Sequence, residues 1–563
     1  MRRAWNTVTS IGMLAALAIV VSPPMVRVQA QPAGVGGVAV GTRILPSGTG
    51  TADTATVVTP DDIAQADAGI AAAFRVTKDK PFMPTDDPGA YAAAKAAAST
   101  GAGGAKAPRM ATVGASVVTP LAAPTIRTVN YAGLNQTTAG GVFPPNTHGA
   151  AGPAHFVQVV DVRMAAFNKA QPGTQLCTFT LAALHGVSEF IFDPRVVYDP
   201  TWNRWVFVAT RKSASPTDPV RRFFIAVSTT GNPCGSYFRH TFNLTGPSFN
   251  AGDWLDSPGL GMSQDAVLIT GNVFDHPTAG AFKFAAAIGI AKARLYNGLA
   301  FSVPIFTTPF GTLQPPIVYD QNKDAYFLSA NNLTHLHLFR GNNLSNAAEA
   351  TFVLQAMVDV QNYAVPPHAR QVGTTVRLDT LDRRFVNAST QIGDSLWNVH
   401  TISCGCDPAF AAPRFYEIDT EGPGANTVKQ QRLFFESATS DDFNASITAN
   451  QQGEAFVTWI STDALHPTPA LRHQARMRIS GRQAADLPGI GPGSAVFTSG
   501  VALTGNDSAA DPNVQRWGKY SAVTLDPQAT STCGANRRAW AVNEVINSAN
   551  VWGSRITRTG FCE

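Results

Sequence analysis

The chain has 563 residues, 44% hydrophobic and only 14% charged, with 48 glycines and 38 prolines. Low charge with frequent Gly and Pro argues against long exposed helices and fits many short strands joined by tight turns. The 42 basic against 38 acidic residues argue against nucleic acid as a partner, because that binding calls for a clustered basic face.

Residues 1–30 carry the pattern of an export signal. Arg2 and Arg3 supply the positive start, Ile11 to Val21 an apolar core, and Val28-Gln-Ala30 a small-residue cleavage site. No later stretch reaches the roughly 20 apolar residues a membrane-spanning helix needs. A secreted or periplasmic protein is expected, with no transmembrane segment. Removing residues 1–30 leaves 39 basic against 38 acidic residues. The six cysteines, Cys177, Cys234, Cys404, Cys406, Cys533 and Cys562, suit disulfides in an oxidising compartment. Cys533 and Cys562 both fall in the last repeat and are expected to pair. Cys404-Gly-Cys406, with His400 and Asp407 nearby, offers a metal site as the alternative to a disulfide; export favours the disulfide.

Residues 31–110 read as an Ala/Gly-rich linker, largely disordered, typified by "GAYAAAKAAASTGAGGAKAP" at 89–108. Within it, Thr59-Pro-Asp-Asp predicts a short helix over Asp61 to Phe74.

From residue 111 to 563 the chain repeats. The hairpin "FDPRVVYDPTWNRWVFVAT" from Phe192 has a relative in "LQPPIVYDQNKDAYFLSANN" from Leu313. Weaker copies begin at His148, Asp256, Arg384, Asn444 and Arg516. Each is a strand, a turn rich in Asp, Asn, Gln or Gly, and a second strand, spaced about 45 to 70 residues apart. The strands are apolar on both faces: Trp205, Phe207 and Ala209 on one, Val206 and Val208 on the other. A sheet sandwiched between two others has that pattern. The fold predicted is an all-β, seven-bladed β-propeller, its last blade completed by a strand from residues 111–147.

The ordered set "PPNTHGAAGPAHFVQVVD", "DPRVVYDPTWNRWVFVA", "AVSTTGNPCGSYFRH", "SLWNVHTI…RFYEID" and "RWGKYSAVTLDP…WAVNE" resembles a family of exported bacterial sialidase-like β-propeller proteins over roughly 140–563. The resemblance implies the propeller fold and no settled activity. It implies an acid where Lys519 stands in "RWGKYS". The Asp-boxes of true sialidases are absent, and "STTGNPCGSY" at 228–237 lacks their Asp and Trp.

In a propeller, residues at repeat starts converge on one mouth, which is the natural ligand site. That groups Asn146, His148, Asp193, Arg195, Asp253, Asp256, Gln314, Arg384, Asn387, Asn444, Arg516 and Tyr520. Arg195, Arg384 and Arg516, from three blades, are candidate clamps for a carboxylate, with Asp193, His148 and Asn444 as further ligand-binding residues. The candidate catalytic set is Tyr520 as nucleophile, Glu544 as its base and Asp256 as general acid. The competing reading is that Asp and Asn at strand starts cap turns. His335-Leu-His337 lacks a third ligand, so no metal site is assigned. No cofactor is expected, although Asp-rich turns leave structural Ca2+ open. Three functions remain: a secreted propeller binding a glycan or protein at its mouth, a glycan-cleaving glycoside hydrolase or lyase, and a structural cell-surface component. The sequence does not fix the oligomeric state.

Overall fold

The computed structural model describes residues 38–70, 88–100 and 129–562, apart from 171, 220, 276–279, 492, 506 and 509–510. The expected export signal at 1–30 lies outside them. The protein is nearly all β, built of antiparallel meanders that follow one another along the chain.

The first meander comprises His148–Ala151, His155–Val160, Arg163–Asn168 and Gln175–Thr180. The second comprises Ile191–Asp199, Arg204–Arg211, Arg222–Ser228 and Tyr237–Thr245. The third runs Trp254–Met262, Ala266–Phe274, Phe282–Ala291 and Phe301–Thr308. The fourth has Ala325–Ser329, His335–Asn342 and Thr351–Asp359, preceded by the short Pro316–Val318. The fifth is Ser389–Ile392, Ser395–Ser403, Ala411–Asp419 and Thr427–Leu433; the sixth is Asp441–Ala449, Ala455–Asp463, His473–Arg482 and Ser494–Thr498. The last joins Ala522–Leu525, Arg538–Ser548 and Val551–Gly560 to Asn130–Ala132, so a strand from 111–147 does finish it. Pro316–Val318 pairs in parallel with Ser389–Ile392 and with Met262, tying the first strands of three neighbouring meanders together.

The two apolar faces of Arg204–Arg211 have different neighbours. Trp205, Phe207 and Ala209 pack with Val157, Val159 and Met164 of the first meander. Val206 and Val208 pack with Ile269, Val273 and Ile288 of the third. Both faces are therefore withdrawn from water, which is why the strand does not alternate apolar with polar. The same face-to-face packing recurs between the third and fourth meanders, the fourth and fifth, and the fifth and sixth. A further cluster joins Phe456 and Met477 to Val542 and Ile556, and Trp540 to Phe156 of the first meander, with ring centroids 5.9 Å apart.

Within the segment expected to be linker, residues 43–58 supply sheet edges. Pro46–Ala52 lies between the outer strands of the second and third meanders and pairs antiparallel with both. Thr56–Val58 extends the second, and Arg43–Ile44 the fourth. "PSGTGTA" has no apolar period, yet glycine is required: a Cβ on Gly50 would stand 2.0 Å from the Phe242 ring. Of the helix predicted over Asp61 to Phe74, Pro60–Ile70 is seen and residues 71–74 lie outside the described ones; it is started by a reciprocal cap in which Thr59 N donates to Asp62 and Asp62 N to Thr59 Oγ1. A second helix, Pro88–Thr100, arises within the Ala-rich stretch.

The disulfides are Cys177–Cys234, Cys404–Cys406 and Cys533–Cys562. The first links two neighbouring meanders, and the third ties the C-terminal strand to the turn before Arg538–Ser548. No helix among the described residues is long and apolar enough to cross a membrane.

Candidate functional site

A recurring backbone device places polar side chains at one end of the first strands. Asn146, Asp193, Ser257, Thr312 and Asn444 each stand in or just before the first strand of their meander with left-handed backbone, φ between 45° and 53°. Asn and Asp tolerate this region; Ser and Thr hold it at a cost of about 1 kcal/mol or more. At Ser257 and Asn444 it coincides with a bulge in the pairing to the next strand, which re-aims the neighbouring side chains.

Three of these chain starts, at Asn146, Asp193 and Ser257, meet around Lys519. Its ammonium donates to Asp193 Oδ2 at 2.8 Å and to Ser257 Oγ at 3.2 Å, and stands 3.6 Å from Asp256 Oδ1. Its backbone N–H donates to Asn146 Oδ1 at 3.0 Å. The Asn146 amide in turn donates to Asp193 Oδ1 at 2.6 Å and Asp161 Oδ2 at 2.8 Å. Tyr520 Oη donates to Asp193 Oδ2 at 2.8 Å, and the Arg195 guanidinium lies 3.4 Å from the centre of the Tyr520 ring. Arg195 is spent on its surroundings: Nε donates to Pro258 O, Nη1 to Asn387 Oδ1 and Nη2 to Val386 O. Asp193 and Tyr520 are each 1% exposed, and Asp256 3%.

Burial sets the electrostatics. Against burial, which pushes its carboxyl up, Lys519, Tyr520 and Arg195 hold Asp193 below the usual range and ionised. Burial, and then the neighbouring Asp193, raise Asp161 well above the usual carboxylate range. Burial also raises Asp256 despite the nearby Lys519. The Tyr520 phenol is pushed far up by burial and by the Asp193 charge, so it stays protonated. Burial and then Arg195 hold His148 well down and neutral; its Nδ1 accepts from Val196 N at 3.4 Å.

Of the residues singled out in the sequence, Asp193, Arg195, Asp256 and Tyr520 come together here. Glu544 does not meet the Tyr520 hydroxyl: its Oε2 accepts from Gly518 N at 2.6 Å, and burial raises its carboxyl well above normal. It sits on the second strand of its meander, whereas Asp193 stands at a strand start, and so Asp193 takes the phenol proton bond. The three arginines have separate partners. Arg384 binds Asp382 through Nε and Nη2 at 2.5 Å, and Arg516 is half-buried and acts on Asp161. Asn444 donates to Asn543 Oδ1 at 3.3 Å and to Tyr520 O at 3.4 Å. Asp253 is taken by Lys283, and Gln314 donates to Phe385 O. No group of three metal-ligating side chains occurs among the described residues, and Cys404 and Cys406 are joined to each other.

Next to this network lies a cleft lined by Asp379, Thr380, Asp382, Arg384, His400, Phe443, Asn444 and Lys519. His400 is held neutral near 3 by burial, between Arg383 O and the Tyr416 hydroxyl. Reasoning from repeats missed Asp379, Thr380 and Asp382, because they lie on the connection ahead of the fifth meander and not at a repeat start. Lys519 was visible in the sequence as the departure in "RWGKYS", where the resemblance implied an acid.

No protein-family model matches the chain, and no curated protein matches it. Solved structures match at low identity. A subtype N10 neuraminidase-like protein of a little yellow-shouldered bat isolate from Guatemala is 9% identical, with a TM-score of 0.32 over 65% of this chain and 99% of its own. Parainfluenza Virus 5 hemagglutinin-neuraminidase is 10% identical, with a TM-score of 0.34 over 61% of this chain and 90% of its own. The α-L-arabinanase of Penicillium chrysogenum, complexed with arabinobiose, is 11% identical, with a TM-score of 0.32 over 65% and 92%. These neighbours are of sialidase-like and related propeller folds.

Proposed function

We propose that the chain is an exported seven-bladed β-propeller that binds a glycan in the cleft between Asp382, Arg384, Asn444 and Lys519 and does not turn it over. The propeller reading is supported by the meanders packed face to face, with the last against the first through Trp540 and Phe156. Export is supported by the three disulfides. The cleft offers carboxylates, a guanidinium, an amide and hydroxyls over a small apolar floor, a set suited to a polyhydroxylated ligand.

The observation that carries the non-catalytic reading is the saturation of the Lys519 network. Asp193 is taken by Lys519 and Tyr520, Arg195 is taken by Asn387 and two backbone carbonyls, and all four are buried, so none of them is a free acid or base facing the cleft. The test is a glycan and polysaccharide array read for both retention and released products, using the full chain and, side by side, Lys95→Ala, which removes an ammonium bonded to Thr380 at the wall of the cleft. Retention without products by either protein supports the reading. Product release overturns it, and so does no retention by both.

One observation favours a second reading, a sialidase-like glycan-cleaving enzyme: the Tyr520 hydroxyl is 2.8 Å from the Asp193 carboxylate, as an activated nucleophile would be. That reading requires the network to open so that a sugar reaches Tyr520. A Tyr520→Phe variant that abolishes product release would establish it.

A further inference from the structure

The helix Pro88–Thr100, "PGAYAAAKAAAST", has seven alanines and one glycine among its 13 residues. Tyr91, Lys95 and Ser99 follow one another at intervals of four and so share one face. Tyr91 and Lys95 touch the wall of the cleft at Leu381 and Thr380, and Ser99 touches the chain ahead of it at His368. Tyr91 Oη donates to Leu381 O at 3.4 Å, and Lys95 Nζ donates to Thr380 Oγ1 at 2.8 Å and to Leu381 O. Ser99 Oγ accepts from His368 N at 3.1 Å.

The receiving segment is built around the ammonium. Asp379 and Asp382 both act on Lys95. Asp379 is fixed by His368 at 3.3 Å, and Asp382 by Arg384. Leu381, whose carbonyl accepts from both Tyr91 and Lys95, holds left-handed backbone at φ 55°. That is a strained geometry for a bulky residue, and strain of this kind gathers where a ligand is held. Lys95 is 6% exposed, although Ala92, Ala93 and Ala94 beside it are exposed. A helix with so little apolar surface gains little from docking, whereas burying an ammonium is unfavourable unless its hydrogen bonds and charge are met. Burial draws Lys95 down to about 8 against the pull of the two acids, so it is still mostly charged at neutral pH.

We propose that Asp379–Asp382 is a binding site for a primary alkylammonium group and that the protein's own helix Pro88–Thr100 fills it through Lys95, closing the outer end of the ligand cleft. This rests on reading the cleft as a ligand site and adds its chemical class: a ligand carrying a primary amine, on a lysine side chain or an amino sugar, competes with Lys95.

The test uses the full chain carrying Lys95→Ala, titrated calorimetrically at pH 7 with n-butylamine and, as the uncharged equivalent, n-butanol. The variant is expected to bind n-butylamine at least tenfold more tightly than n-butanol. The unsubstituted chain should bind neither, and Asp379→Asn added to Lys95→Ala should abolish the response. Nα-acetyl-lysine amide and glucosamine, run against N-acetylglucosamine, then separate the two sources of amine. The proposal is overturned if Lys95→Ala binds neither butyl compound, binds both equally, or responds no better than the unsubstituted chain. Should Lys95→Ala not fold, Lys95→Met is measured by amide hydrogen exchange. A tenfold or greater loss of protection confined to residues 88–100 supports the proposal, and unchanged protection there overturns it. These readouts involve no glycan array, so this proposal and the glycan reading can fail separately.

Discussion

The network around Lys519 and the cleft wall at Asp379–Arg384 use the same residue types and hold them in opposite ways. In the first, Lys519, Asp193, Asn146 and Tyr520 come from strand starts or the chain leading into them, and the contacts among these four each join one meander to another. In the second, the buried cation comes from a helix outside the sheets. A cation fixed by the sheets cannot leave without parting the meanders. A cation delivered by an Ala-rich helix can be exchanged for another. Saturated polar networks of the first kind position structure, while an exchangeable contact is where a ligand can act.

The sharpest way to break this contrast is to remove the central cation. Lys519→Met leaves Asp193 and Asp256 buried without it, and an unpaired buried charge costs about 3–5 kcal/mol. Urea unfolding should show that loss, and a change below about 1 kcal/mol would mean the network is not what joins the strand starts. Adding Asp193→Asn should lose less than the two single changes summed, by about 1–3 kcal/mol, since the pair is in direct contact. Additivity would show that the two act independently.

The cleft wall should show itself next, through pH. His400 is held neutral near 3 by burial in the folded chain and titrates near its ordinary 6.5 when unfolded. The unfolded state therefore binds the extra proton below pH 6.5. Stability is lost as the pH falls from 6.5 towards 3, by up to about 1.4 kcal/mol per unit from this residue. His400→Gln should flatten the dependence of Tm on pH in that window, and an unchanged slope would assign the acid sensitivity elsewhere. Smallest in global effect is Lys95→Ala. It should shift overall stability by no more than about 1 kcal/mol while the helix Pro88–Thr100 loses its hydrogen-exchange protection. A cooperative global loss would make that helix part of the scaffold.

The sequence made the hairpins readable because both faces of each strand are buried. The split of Trp205, Phe207 and Ala209 from Val206 and Val208 is the same split that divides the first meander's contacts from the third's. Pro46–Ala52 was not readable, since two neighbouring edges and the room at Gly50 decide its conformation and its own residues do not. In the site, repeat starts pointed to Asp193, Arg195 and Tyr520. The partner of Tyr520 could not be chosen from sequence, because Asp193 lies 327 residues away along the chain and only the packing of the meanders brings it to the hydroxyl, while the nearer Glu544 turns to Gly518 N. Lys95 was lost in a low-complexity stretch whose composition says nothing about one buried lysine.

The central claim is that the cleft binds and the Lys519 network does not react. Its most direct test is to titrate the glycan retained on the array against Arg384→Ala and Tyr520→Phe in parallel, following released sugars throughout. At least tenfold weaker binding by Arg384→Ala, unchanged affinity for Tyr520→Phe and no product from any protein is the predicted result. Sugar release that disappears in Tyr520→Phe, or affinity indifferent to Arg384, would contradict it.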